Sequence, residues 1–122
     1  MVGVEDMRRH IEGVCEAHDI ELIWCRRPMD AWADHAHATI CVAPIKSTIS
    51  YGTALHELGH VRGRHQLSRD SMVRERWAWR WAEANALIWT ARMERDRRKS
   101  LVLARRNRWF RKPADAPNGP VS

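Results

Sequence analysis

From Ser71 to Lys112 the chain contains neither glycine nor proline, and this run constrains the fold more than any other feature. The residues that most readily end a helix are missing from a stretch rich in Ala, Arg and Trp, so helix is predicted throughout. Ser68, Asp70 and Ser71 supply oxygens to cap its start. A break is expected near Lys99-Ser100, beyond which a second, basic helical segment would follow. The proline-rich end, residues 113–122, reads as a disordered tail.

The same stretch carries the charge. Between Arg92 and Lys112 there are ten Lys/Arg against only Glu94 and Asp96, whereas Met1 to Ala91 holds eleven Lys/Arg against twelve Asp/Glu. The formal +6 of the whole chain therefore belongs to one segment. A nucleic-acid or acidic-protein contact, if one exists, is expected at Arg92 to Lys112, and the plainer alternative is a solvated helix face. At 122 residues, with 44% hydrophobic and 30% charged residues, the chain has room for one core and the composition of a folded domain, not of a disordered or fibrous one. No run approaches the roughly 18 apolar residues of a membrane span, and the first residues lack a basic start and an apolar stretch. A cytoplasmic address without membrane association is the expectation. Three cysteines, Cys15, Cys25 and Cys41, without a CxxC spacing, fit reduced, buried thiols.

Upstream, Met7, Ile11, Val14 and Cys15 recur at helical spacing, which predicts an amphipathic helix over residues 4–18. Ile20 to Cys25 and Ala38 to Val42 read as short strands, and the segment between them (PMDAWADHAH) as polar and turn-forming. Two such strands would pair antiparallel and pack on helices, so the fold class is α+β. Another helix should begin near Ser47 or Thr48 and stop at Gly63.

That helix carries His56-Glu57-Leu58-Gly59-His60. Residues four apart share one helix face, so two imidazoles can grip one Zn²⁺, and Glu57, about 100° further round, can act as a base on a water polarised by the ion. Gly59 is small, and Leu55, Leu58 and Val61 can bury the other faces. A catalytic zinc needs a third protein ligand. Three candidates compete for it. His65 sits one residue short of a metzincin-type spacing, which would need the histidine at Gln66. Glu75 lies on a stripe with Met72, Ala78, Trp79, Ala82, Ala86, Trp89 and Met93, where a carboxylate is expensive to bury without a partner, and the alanines would let this helix approach the motif helix closely. Glu83, about 80° off the stripe, is expected to pair with Arg76 or Arg80 instead.

The motif at 56–60, preceded by a helix and two strands and followed by Glu75-Arg76-Trp77-Ala78-Trp79-Arg80-Trp81-Ala82, resembles the ImmA/IrrE type of small bacterial and phage zinc metallopeptidases. The resemblance covers roughly residues 4–93. It implies a minimal zincin-like domain over residues 1–98, extended by the basic helical segment 99–112. In that family an E-x-E-A-x-x-F-A helix supplies the third ligand. Carried over, His56, His60 and Glu75 would bind zinc, Glu57 would be the catalytic base, and Trp81 would stand at the family's Phe position. The second acidic position is Trp77 here, and an alternative register over Glu83-Ala84-Asn85 would favour Glu83. The implied activity is hydrolysis of a peptide bond in a protein substrate, a transcriptional repressor in the family's usual setting. The rival expectation is a catalytically silent regulator of the same fold, binding protein or nucleic acid through the basic segment.

Seven Trp against one Tyr and one Phe complete the picture. Trp77, Trp81, Ala84 and Ile88 form a second apolar stripe, expected to pack on Leu101, Leu103, Trp109 and Phe110 or on a second subunit, so monomer and homodimer both fit. Trp24 is expected in the core, while Trp32 has no assigned place and would border the cleft. The strand at Ala38 to Val42 is expected to be a sheet edge that binds extended substrate, with His35 or His37 beside it.

Overall fold

The computed structural model describes residues 1–110. Its elements are α1 (Val4–Ala17), β1 (Glu21–Trp24), a 3-10 turn (Pro28–Asp30), β2 (Trp32–Asp34), β3 (Thr39–Val42), α2 (Thr48–Arg62), α3 (Ser71–Asn85) and α4 (Ala91–Phe110). The fold is α+β, as expected, and the tail at 113–122 lies outside the described residues. In α1, Met7, Ile11 and Cys15 are buried, as their spacing requires. Ser47 caps α2, accepting from the Ser50 N–H, and the helix ends at Gly63. Asp70 caps α3 through the Met72 N–H.

The sheet departs from expectation in three ways. It has three strands, ordered β1-β3-β2, with β1 parallel to β3 and β2 antiparallel to it. The segment read as a turn holds β2, whose Trp32-Ala33-Asp34 carries too little β-branched or alternating character to be seen as a strand. Because β2 takes one side of β3 through a tight hairpin, β1 has only the other side left. The strand expected at the edge is thus the central one, and Thr39, Ile40, Cys41 and Val42 are all buried. Trp24, expected in the core, is 40% exposed on the outer strand. Cys15 and Cys41 are buried and Cys25 half-buried. Burial pushes both Cys15 and Cys41 up to about 11, with the Cys25 thiol adding to the effect at Cys41, so neither is a ready nucleophile.

The long helical run breaks at residues 86–90, not at Lys99-Ser100, and α4 passes straight through the latter pair. The cause is a contact from another helix. Tyr51, fully buried on α2, accepts a hydrogen bond from the Leu87 N–H at 2.9 Å and faces His10 Nδ1 at 2.6 Å, which ties α1, α2 and the α3–α4 link together. Thr90 then caps α4 by accepting from the Met93 N–H. The domain boundary expected at 98/99 consequently falls inside one helix. The second apolar stripe of α3 is only partly covered: Trp77 and Trp81 are half-buried, Ala84 is exposed, and Ile88 lies past the helix end. Leu101 packs against the core, whereas Leu103 is 46% exposed.

Helix α2 is the hub, packed against α1, β2, β3, α3 and α4. Its closest neighbour is α3. A methyl group on Gly59 would overlap the Ala78 carbonyl and stand 2.8 Å from Ala78 Cα, so hydrogen at position 59 and a small side chain at 78 set the distance between the helices. Gly59→Ala should therefore destabilise the protein by about 1–3 kcal/mol in urea unfolding, the range for an overpacked core. Gly13, in the middle of α1 with open space around it, is the control: Gly13→Ala should stabilise by about 0.4–1 kcal/mol.

Candidate metal centre

The close approach of α2 and α3 brings three side chains to one point. His56 and His60, one turn apart on α2, place their Nε2 atoms 3.1 Å from each other. Glu75, in the second turn of α3, reaches both, with Oε1 2.9 Å from His56 Nε2 and Oε2 2.9 Å from His60 Nε2. Tetrahedral coordination at 2.0–2.1 Å per bond needs donors about 3.3 Å apart, so the three lie within a few tenths of an ångström of the spacing that a zinc ion requires. Ligand atoms of His56, Glu57 and His60 also lie within 4.8 Å of one another, which leaves Glu57 beside the cluster with its Oε2 3.8 Å from His56 Nδ1. The donor set of two imidazoles and one carboxylate fits zinc, with a fourth position left for water or substrate.

Of the other candidates for third ligand, neither reaches the centre. Glu83 is exposed and pairs at 2.7 Å with Arg97 of α4, not with Arg76 or Arg80. Arg80 instead sits 4.7 Å over the Trp77 ring. His65 is an exposed loop residue with φ of 61°, its ring edge-on to Trp77 at 4.8 Å.

Gln66, considered only as the position where a histidine was missing, turns out to be a supporting residue. It is 8% exposed. Its Nε2 donates to the carbonyls of Arg64 and Arg74, at 3.0 and 2.9 Å, which fixes the orientation of the amide. Its Oε1 must then face His60 Nδ1, 2.8 Å away, and accept a hydrogen bond from that ring N–H. With its Nδ1 side committed to Gln66, the His60 ring turns Nε2 toward Glu75 and His56, the nitrogen that would ligate a metal once it carries no proton. A second support is Trp79, whose ring stacks on His56 at 4.3 Å and 12°. Its Nε1–H is buried without a hydrogen-bond partner among the described residues. Such an orphan donor costs on the order of 1–3 kcal/mol, so the indole is kept in place against a real penalty. Its place on the Glu75 stripe was legible in the sequence, but its contact with a ligand ring was not.

The electrostatics follow from this crowding. Burial raises the Glu57 carboxyl above its ordinary range and Glu75 adds to the rise, while His56 and His60 partly offset it. At Glu75 burial works upward too, but the hydrogen bonds and charges of His56 and His60 outweigh it and hold this carboxyl well below the usual range. For His60, burial opposes protonation, yet Glu75 and Gln66 prevail and raise it. Two carboxylates in one site are thus pushed apart: Glu75 stays ionised as a ligand should, and Glu57 gains proton affinity.

His35 lies at the rim, with Nδ1 3.2 Å from the His60 carbonyl. His37 does not: it is 80% exposed and bonded to Asp34. Removing the ligand and its support should have graded effects in zinc titration calorimetry. Glu75→Ala should abolish tight binding, Glu83→Ala should leave it unchanged, and Gln66→Ala should weaken it about 10–100-fold. Loss of zinc in Glu83→Ala with retention in Glu75→Ala would move the site.

Comparison with protein-family models, with curated proteins and with solved structures found no match to this chain.

Proposed function

We propose that the protein is a zinc-dependent endopeptidase acting on an extended segment of a protein substrate. The observation that carries this reading is the convergence of His56, His60 and Glu75 at 2.9–3.1 Å with the half-buried Glu57 beside them. A purely structural zinc site would be closed by a fourth protein ligand and would have no use for such a base.

When bound, zinc supplies Lewis acidity, polarising the scissile carbonyl and lowering the pKa of the attacking water. His56, His60 and Glu75 hold the ion, and Gln66 and Trp79 hold the two rings in register. Glu57 takes the proton from the attacking water and passes it to the leaving amine. The raised proton affinity of Glu57 suits it to both transfers.

The substrate needs a rail, and β2 supplies one. It is the outer strand of the sheet on the side next to α2, with its free backbone edge available for an added strand. This role passes to β2 from the Ala38–Val42 strand, which is enclosed on both sides. Backbone pairing along Trp32–Asp34 would give affinity with little demand on sequence, and exposed Trp32 would line the approach. Cleavage of a transcriptional repressor remains the substrate that the family resemblance implies.

The test is a comparison of new protein N-termini in cells expressing the wild type or Glu57→Gln. At least one cleavage product should appear only with the wild type, and the variant should retain one zinc per chain while losing about 10²–10⁴-fold in rate on that substrate. Equal fragment sets from the two proteins, both zinc-loaded, would rule out the peptidase reading.

A further inference from the structure

Helix α4 contains most of the chain's uncompensated charge, and the structure shows how it is arranged. Successive residues turn about 100°, so Arg92, Arg95, Lys99 and Arg106 fall within about 60° of one another on the helix. All four are exposed. None of them makes an ion pair among the described residues; the cations of this helix that do are Arg97, with Glu83 and Glu94, and Arg98, with Glu94. Of the two acids of the segment, Glu94 is engaged by Trp89, Arg97 and Arg98, and half-buried Asp96 borders the row beside Arg92 and Lys99 without an ion pair to either. The opposite face, with Met93 buried and Leu101 packed on the core, anchors the helix to the body. A rigid row of four free cations thus runs along one side of the protein, about 21 Å from Arg92 to Arg106 at 1.5 Å per residue.

We propose that this row binds duplex nucleic acid through its phosphates, without reading base sequence. A polymer with one negative charge per roughly 1.7 Å of axis matches a straight line of cations, stepped by about 4.5, about 6 and about 10.5 Å along the helix, better than the scattered carboxylates of a folded protein. A membrane surface fits less well. An interfacial helix needs an apolar face of its own to bury in the lipid, and the apolar face of α4 is spent on the core, leaving Val102 and Leu103 as its exposed large hydrophobics among the described residues. In this proposal all four cations hold phosphates, and no base edge is read. The surface is independent of the metal centre: its residues belong to α4, and the ligands to α2 and α3.

Fluorescence anisotropy of the full zinc-loaded chain with labelled 20-base-pair duplexes of unrelated sequence, at several salt concentrations, tests the proposal. Four phosphate contacts predict a slope of log affinity against log salt of roughly −3 to −4. Affinities for the different duplexes should agree within about threefold, since no base edge is read. Arg95→Glu/Lys99→Glu should reduce the slope by about 2 and weaken binding at least about tenfold. Arg26→Glu/Lys46→Glu makes the same change in net charge at exposed residues elsewhere and should leave binding within about threefold, because phosphate contacts and not overall charge set the affinity. Circular dichroism and zinc content of each variant verify its fold. The proposal is overturned by absence of binding at 50 mM salt, by equal losses in the two double variants, by strong sequence preference, or by α4-dependent binding to phosphatidylserine vesicles without binding to DNA. Glu57→Gln should bind DNA like the wild type, so failure of the peptidase reading and failure of this one are separate results.

Discussion

The contact on which the site depends is the one between Gly59 and the backbone at Ala78. Where a side chain at 59 would meet the Ala78 carbonyl, the hydrogen of glycine lets α3 lie against α2 along the face that carries His56 and His60. Glu75 stands almost one turn before Ala78 on the approaching helix, so the spacing of the two backbones decides whether its carboxylate reaches the imidazoles. At 2.9 Å to each it does. A glycine inside a helix costs roughly 0.5–1 kcal/mol relative to alanine, and here that cost is offset by the burial of Leu55, Leu58, Met72, Ala78 and Ala82 between closely packed elements.

Close packing alone would leave the rings free to turn. Gln66 and Trp79 remove that freedom by different means, one by accepting a hydrogen bond from the Nδ1–H of His60 and the other by stacking flat on His56. The Gln66 amide also donates to the carbonyls of Arg64, in the α2–α3 connection, and of Arg74, on α3, so the side chain that orients the His60 ring also ties that connection to the helix that carries Glu75. Site geometry and loop geometry therefore cannot be changed independently there.

Much of this was legible in the residues because it depends on local periodicity. The ends of α2 at Ser47 and Gly63, the cap at Asp70, the pairing of His56 with His60 and the smooth alanine face of α3 all follow from spacing along one helix. Glu75 could be preferred over Glu83 because a carboxylate in an apolar stripe needs a partner. What was not legible involves groups far apart in the chain. Trp32-Ala33-Asp34 becomes a strand only because β3 is there to pair with it. The helix stops after Asn85 because a hydroxyl from Tyr51 claims the Leu87 N–H, and no spacing near Leu87 announces that. Glu83 finds Arg97 across a helix interface and not the arginines one turn away.

By itself the sequence determined the helix faces, the two-histidine motif with its adjacent carboxylate, the α+β class and the confinement of the net positive charge to the C-terminal segment. These are properties of residue type and of the 3.6-residue turn, and they hold before any long-range contact forms. The tertiary structure decided which carboxylate meets the histidines, which strand is central, where the long helix breaks and which of the described arginines form ion pairs. Each of those outcomes is a competition between distant groups for one hydrogen-bond or packing partner, and only the folded arrangement of α2, α3 and the sheet settles it.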